Sequence, residues 1–323
     1  MRTQHLLIAL LSTALLGFGV AACGDDEETS SGSQSSAESG LKGSISVDGS
    51  STVYPFAQAA AELFNEENPD VKISVGQSGT GGGFEKFCAA ETDVSTASRP
   101  IKDDEEAPLC EKAGVSYSEV QIANDGIAVV TNKDLPVDSL TTEQLKELWN
   151  KGSKVSSLKQ LDSSLPDEKL SLYGPGTDSG TFDFFTDEIN GEEGVTRESY
   201  EASEDDNQLV TGVSQDAGGL GYFGFSYYEA NADKLNLVGV CGEGGDCVKP
   251  SAETIQNGTY KPLSRPLFMY PSAKAMQRPE VKAFMDFTIA NQDAIAKAAN
   301  IVPMTQEQAA DAKSALQKAE SGA

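Results

Sequence analysis

Residues 44–75 read SISVDGSSTVYPFAQAAAELFNEENPDVKISV, and the hydrophobic period changes twice within them. Ile45 and Val47 alternate with polar residues, as a half-buried strand does, and Val71, Ile73 and Val75 alternate again. Between them Val53, Phe56, Ala57, Ala60, Leu63 and Phe64 recur at helical spacing. Ser50, Ser51 and Thr52 are placed to cap that helix, and Pro55 suits its first turn. Asn68-Pro69 stops it. Strand, helix and strand in so short a stretch form a βαβ unit.

The same alternation continues along the chain. A second helix starts in Gly81-Gly82-Gly83 and runs through Phe84, Phe87 and Ala90. Asp93 to Ala97 reads as a strand, Asp103 to Ala113 as a helix and Gly126 to Val130 (GIAVV) as a fully buried strand. Thr141 to Trp149 is a capped amphipathic helix. A strand over Leu170 to Tyr173 leads into a Phe-rich helix over Gly180 to Ile189, and Asp205 to Val213 is helical. Leu220 to Phe225, Leu235 to Val240 and Pro266 to Tyr270 are further strands. Helices near Pro279–Ala290 and Gln292–Ala299 precede a helical tail rich in Ala, Gln and Lys. No repeat of fixed period occurs. The pattern predicts an α/β protein with two open mixed sheets flanked by helices, arranged as two lobes.

Composition narrows the function. Fifty acidic against 24 basic side chains give the 323-residue chain a net charge of −26, which argues against a nucleic-acid partner. The one histidine is His5, inside an apparent export signal. A mature chain without histidine cannot run Ser–His–Asp or Cys–His catalysis, and it cannot build an HExxH zinc site or a His-ligated iron or copper centre. No enzyme class suggests itself, and neither a cofactor nor a metal is expected.

Residues 1–22 read as that signal, with Arg2 as the positive end and an apolar stretch from Leu6 to Val20. The stretch is about 15 residues, shorter than the roughly 20 that a membrane span needs. Val20-Ala21-Ala22-Cys23 resembles the lipobox of bacterial lipoproteins. That resemblance implies cleavage before Cys23, lipid attachment to its thiol and a palmitate-bearing anchor in the bacterial cell membrane, whereas an ordinary secretory signal would leave the cysteine incidental. Loss of Arg2 would take the net charge from −26 to −27. Residues 23–40, almost wholly Asp, Glu, Ser, Thr, Gln and Gly after the cysteine, are expected to form a flexible acidic tether. The four remaining cysteines, Cys88, Cys110, Cys241 and Cys247, suit disulfides in an oxidising compartment. Proximity suggests the pairs 88–110 and 241–247; a four-cysteine zinc site is the alternative, without a CxxC pair to support it.

Three segments share one design, hydroxyls and glycines where a strand gives way to a helix: Gly49-Ser50-Ser51-Thr52-Val53, Ser78-Gly79-Thr80-Gly81-Gly82-Gly83 and Gly174-Pro175-Gly176-Thr177-Asp178-Ser179-Gly180-Thr181. A helix start presents unpaired N–H groups and about half a positive charge. Glycine admits a ligand to that backbone, and Ser or Thr adds an O–H donor. Any one of them is ordinarily a simple cap; three aimed at one point would make a socket for a small tetrahedral anion, in the crevice beyond the strand ends. No Gly-Lys-Ser/Thr triplet occurs, which disfavours a nucleotide.

The chain also resembles the phosphate-binding PstS family of bacterial ABC transporters over residues 43–290. The matching pieces are DGSSTVYP (48–55), SGTGGGFEKF (78–87), STASRPIKDDE (95–105), DGIAVV (125–130), LYGPGTDSGTFDFF (172–185) and SEDDNQLV (203–210). The resemblance implies a two-lobed type II periplasmic-binding-protein fold whose chain crosses between lobes near Ala123–Gly126 and Leu263–Pro266. Lobe I would comprise 41–124 plus 265–323, and lobe II 125–264. It implies an extracytoplasmic, monomeric solute-binding protein that hands inorganic phosphate to the transmembrane subunits and ATPase of a permease. Carried over residue by residue, the site comprises Ser51, Thr52 and Thr80 in one lobe and Ser179, Gly180 and Thr181 in the other, with Ser50 and Ser98 nearby.

Two departures stand out. Arg99 follows Ala97-Ser98 where many family members have Asp, and Pro175 replaces an Arg ahead of the Ser-Gly-Thr triplet. Arg99 is therefore expected to supply the cation, the alternative being a salt bridge to the acids at 103–106. The missing Asp opens the question of selectivity. A carboxylate can accept the proton that phosphate carries near neutral pH, while sulfate would leave it unpaired. Asp125 and Asp178 are candidates for that acceptor, and either could instead cap a turn. Sulfate or molybdate binding, and a phosphate-sensing surface lipoprotein, are the alternative functions.

Overall fold

A computed structural model describes residues 40–321 except 178 and 243. The expected signal, Cys23, the tether as far as residue 39, and Asp178 lie outside the described residues. In chain order the elements begin with β1 (Gly43–Gly49), α1 (Tyr54–Glu67), β2 (Val71–Val75), α2 (Gly79–Cys88), β3 (Val94–Ala97), α3 (Ala107–Ala113), β4 (Val120–Asn132), β5 (Ser139–Thr141) and α4 (Thr142–Trp149). They continue with β6 (Ser171–Gly174), α5 (Gly180–Phe185), β7 (Glu201–Ala202), α6 (Asp206–Gln215), β8 (Gly219–Gly224), α7 (Phe225–Glu229) and β9 (Leu235–Cys241). The last are β10 (Cys247–Val248), α8 (Ala252–Gln256), β11 (Ser264–Pro271), α9 (Pro279–Ala290), α10 (Gln292–Ala298) and α11 (Gln306–Ser321).

The first βαβ unit forms as its periodicity predicts: β1 pairs in parallel with β2 on one side and β3 on the other. β11 returns antiparallel to β3 and then pairs with the first half of β4, Val120 to Gly126. The second half of β4, from Ile127, pairs with β8 and β9; β8 carries β6 in parallel, and β6 carries β7 in parallel. The two mixed sheets are thus joined through one strand, in the order β2-β1-β3-β11-β4-β8-β6-β7. That is why the strand expected over GIAVV begins six residues earlier, at Val120. Each half of it is buried in a different core, so the whole strand is shielded on both faces.

One core packs Ile45, Val47, Phe56 and Phe64 against Leu267, Met269, Phe284 and Met285. The other gathers Ile127–Val130, Trp149, Phe185, Tyr222 and Tyr260. In the latter, Phe185 stacks on Tyr222 with ring centroids 3.7 Å apart, and the Trp149 ring meets Tyr222 edge-on at 4.9 Å and Phe185 at 5.9 Å. The helix expected over Gly180–Ile189 changes pitch: after Phe185 it widens into a π-turn over Thr186–Asn190. Thr186 Oγ1 donates to the carbonyls of Phe182 and Asp183 and accepts from Gly194 N, a side-chain competition that loosens the backbone ladder. α3 starts at Ala107 rather than at Asp103, because Glu106 turns inward and accepts the Lys102 backbone N–H.

Cys88 is joined to Cys110 and Cys241 to Cys247. The first bridge lies in a small satellite core with Phe84, Phe87 and Tyr270 and closes a loop with a sequence separation of 22. Replacing both of its cysteines with serine is expected to lower stability by about 3 kcal/mol, read by chemical denaturation, whereas opening the six-residue separation of the other bridge should cost about 2.

Candidate functional site

The first turn of the site is set by Gly49, at the end of β1. Its φ is +144°, and a Cβ there would stand 2.1 Å from the Thr96 carbonyl oxygen. Only glycine lets Ser50 N reach that same oxygen at 3.0 Å and tuck the turn beneath β3. Ser50, Ser51 and Thr52 were expected as caps of α1, and in this they differ. The helix starts from Val53 without any side-chain cap, and Tyr54 N bonds the Ser50 carbonyl instead. The hydroxyls of Ser51 and Thr52 are therefore left to the cleft.

The second turn repeats this arrangement. Ser78 does not cap α2; its hydroxyl and N–H both meet Asp48 Oδ1, and Lys86 Nζ holds Asp48 Oδ2 at 2.7 Å. Burial pushes the Asp48 carboxyl up, but Lys86 and Ser78 outweigh it and hold the group below its ordinary value. Thr80 Oγ1 lies 3.1 Å from Ser98 Oγ and accepts the Ser98 backbone N–H. In the third turn Ser179 is a true N-cap, its Oγ accepting from Thr181 N at 3.2 Å. Its own O–H remains a donor. Gly180 opens α5 and touches the first turn directly: a Cβ would come within 2.0 Å of Thr52 Oγ1 and 2.8 Å of Ser51 Oγ.

The sequence reading missed the residue that ties these turns together. Arg265, at the start of β11, faces Asp125 of β4 in the strand register. Its Nε bonds Asp125 Oδ2 at 3.2 Å, and its Nη2 donates to Thr52 Oγ1 at 2.8 Å and to the Gly180 carbonyl at 3.1 Å. The guanidinium also lies 3.9 Å from the Phe184 ring centroid, and the side chain is only 13% exposed. Burial lowers its pKa, with Asp125, Asp183 and Glu188 opposing that shift. Among the described residues no hydrogen bond is made by Nη1, and Arg265 lines the cleft.

Arg99 is placed otherwise than expected. Its two Nη groups fork onto both oxygens of Glu106 at 2.8 and 2.7 Å, and Nη1 also reaches the Pro100 carbonyl. The Glu106 hydrogen bonds raise the Arg99 pKa; burial pushes Glu106 up, but Arg99 and the Lys102 N–H more than offset that. The alternative of a salt bridge to the acids at 103–106 is the arrangement observed. Arg99 still borders the cleft, but its planar fork is engaged.

The contact between Gly180 and the first turn divides the cleft into two cavities. The larger, about 490 Å³, is bordered by Ser50, Ser51, Thr52, Thr80, Ser98, Arg99, Gly180 and Arg265. Its far wall is acidic, with Asp183, Asp187, Glu188 and Glu193. Burial, helped by Glu193, raises the Asp183 carboxyl to about 6. The smaller cavity, about 360 Å³, is bordered by Ser51, Thr52, Ser179, Gly180, Thr181 and Asp125. Asp206, whose carboxyl accepts the Gly224 backbone N–H, stands in the same wall; burial raises it to about 7. Asp178 lies outside the described residues. Among the described residues no cluster of His, Cys, Asp and Glu could hold a metal ion, and no helix is long and apolar enough to cross a membrane.

A profile of the PBP superfamily domain matches residues 34–292. The chain is 45% identical to Protein SphX of Synechococcus elongatus over 262 residues, which cover 80% of this chain and 77% of SphX. It is 40% identical to the phosphate-binding protein PstS of Staphylococcus epidermidis over 297 residues, covering 91% and 88% of the two chains. The chain belongs to the PstS family of the PBP superfamily. Its fold agrees: a crystal structure described as that of a possible phosphate-binding protein from Planctomyces limnophilus superposes with a TM-score of 0.80 at 40% identity, over 87% of this chain and 99% of the other. As a PstS-family protein the chain has the type II periplasmic-binding-protein architecture, with β4 and β11 running between its two cores.

Proposed function

We propose that this chain binds inorganic phosphate in the cleft, outside the cytoplasm, and delivers it to an ABC-type permease; it is a receptor rather than a catalyst. The observation that carries this reading is Arg265, held by Asp125 while it bonds both Thr52 and Gly180, at the place where turns from both cores meet. A tetrahedral anion there would receive hydroxyl and backbone N–H donors from the Ser51–Thr52, Thr80 and Ser179–Gly180–Thr181 turns, with Ser50 and Ser98 supporting them and Arg265 in place of Arg99 as the cation. Residues 41–124 with 265–323 form one lobe in this reading and 125–264 the other; the separation of the two cores on either side of Gly126 and Leu263 supports it. Binding would tighten the closure that Gly180 and Arg265 already outline. The lipobox at Cys23 supports a lipid anchor on the outer face of the cell membrane, within reach of the permease.

The net charge of −26 does not oppose this. Exposed charges are screened beyond about 8 Å at physiological salt, and charge-assisted hydrogen bonds contribute about 1.5–3 kcal/mol each inside a closed cleft. Selectivity follows from Asp125, whose Oδ2 is paired and whose other oxygen is the proposed acceptor for the proton on phosphate. Calorimetry at pH 7 is expected to give micromolar or tighter phosphate binding, with sulfate weaker by about 10- to 100-fold, the effect of one unpaired acceptor. Sulfate binding as tightly as phosphate would overturn the phosphate assignment.

A further inference from the structure

The smaller cavity holds two carboxyls in unlike settings. Asp125 is tied to Arg265 by a hydrogen bond and charge. Among the described residues no cation pairs with Asp206, the first residue of α6; the Gly224 N–H is its hydrogen-bond donor. The groups facing it are acidic or neutral: Asp125 from β4, Glu204 and Asp205 from the segment before α6, and Tyr227 from α7, whose hydroxyl is itself raised by burial and then by Asp206. A carboxyl so placed is more easily kept neutral than ionised, and a neutral carboxyl is a hydrogen-bond donor.

We propose that Asp206 is a specificity-determining residue of the cleft: protonated, it donates to an anion seated between Thr52 and the Ser179–Gly180–Thr181 turn, and ionised, it becomes a second negative charge beside Asp125 that drives the anion out. The pair then divides the work, Asp125 accepting a hydrogen bond from the anion while Asp206 donates one to it. Binding is thereby linked to pH through the protein as well as through the ligand. This rests on the anion-binding reading above. With a carboxyl that titrates at about 7, only a few per cent of the protein is competent at pH 8.5, so its apparent affinity there falls about 30-fold relative to pH 5.5 from this cause alone.

The test is calorimetric titration of the full chain with inorganic phosphate at half-unit steps from pH 5.5 to 8.5, comparing wild type with Asp206→Asn and Asp206→Ala. Phosphate's own ionisation affects all three proteins alike, so the ratio of dissociation constants isolates the residue. Wild type is expected to lose at least about tenfold more affinity than Asp206→Asn across the range, with a midpoint near neutrality. Asp206→Ala, which lacks a donor, should bind more weakly than Asp206→Asn at pH 5.5. Ratios that stay flat with pH for both variants overturn the proposal and leave phosphate binding intact. Absence of phosphate binding by wild type at every pH overturns the underlying reading instead. Thermal melting of each variant identifies one that has failed to fold, and the other then carries the comparison.

Discussion

Arg265→Ala should weaken phosphate binding by at least about 100-fold, roughly 3 kcal/mol, while Arg99→Ala changes it by less than about threefold. The Arg265 side chain is 13% exposed and bonds three partners: Asp125 of β4, Thr52 in the turn before α1 and Gly180 at the start of α5. Its removal takes away the cation and leaves Asp125 without its ion-pair partner, and breaking such a pair typically costs about 3–5 kcal/mol. Some of that loss will appear as lower thermal stability. Arg265→Lys separates the two effects: it keeps the charge but cannot reach Asp125, Thr52 and Gly180 together, and it should recover folding with binding still about tenfold weak. Full affinity in Arg265→Ala, or a 100-fold loss in Arg99→Ala, would return the cation role to Arg99.

The second large effect concerns a methyl group. Gly180→Ala is expected to reduce phosphate affinity by about 100-fold or more with no loss of melting temperature. The added Cβ would sit 2.0 Å from Thr52 Oγ1 and 2.6 Å from Thr52 N, one of them backbone, so neither a rotamer change nor a small tilt can absorb the clash. The two turns must part, and donors that met at one point would then serve an anion from one side only. Alanine is the better helix former at an ordinary helical position, by up to about 1 kcal/mol, so the fold should survive. Isothermal calorimetry with a parallel melt reads both quantities, and unimpaired binding would show that the closed contact seen here is not the one the ligand uses.

How far the sequence could be read depended on the range of the interaction. Local signals were clear. The helix expected to be capped at Thr141 is so capped, through a capping box with Gln144, and the strands at Leu235–Cys241 and Ser264–Pro271 begin and end within two residues of their periodic runs. The turns carrying Ser51, Thr80 and Gly180 were legible because hydroxyls and glycines cluster there. Arg265 was not. It sits ahead of Pro266 in a stretch whose only pattern is that of a buried strand, and its partner Asp125 is 140 residues away. Only strand pairing between β11 and β4 brings them face to face, and such pairing has no local signature. Arg99 illustrates the converse. A cation beside a serine-rich turn reads as a ligand, but its pairing with Glu106, which reads as one of several solvent-facing acids and is folded inward onto it, has no signature in the sequence. Asp206 likewise reads as a first-turn helix acid, and nothing in its neighbours in the chain announces that it is enclosed.

Trp149 has a practical consequence. It is the sole tryptophan of the chain, and its ring rests on Phe185, the last residue of the helix that Gly180 begins. The protein thus carries its own optical gauge: excited at wavelengths that its nine tyrosines do not absorb, its emission has a single source, wired through one short helix to the point where cargo would arrive, and occupancy could be followed in real time without attaching a dye.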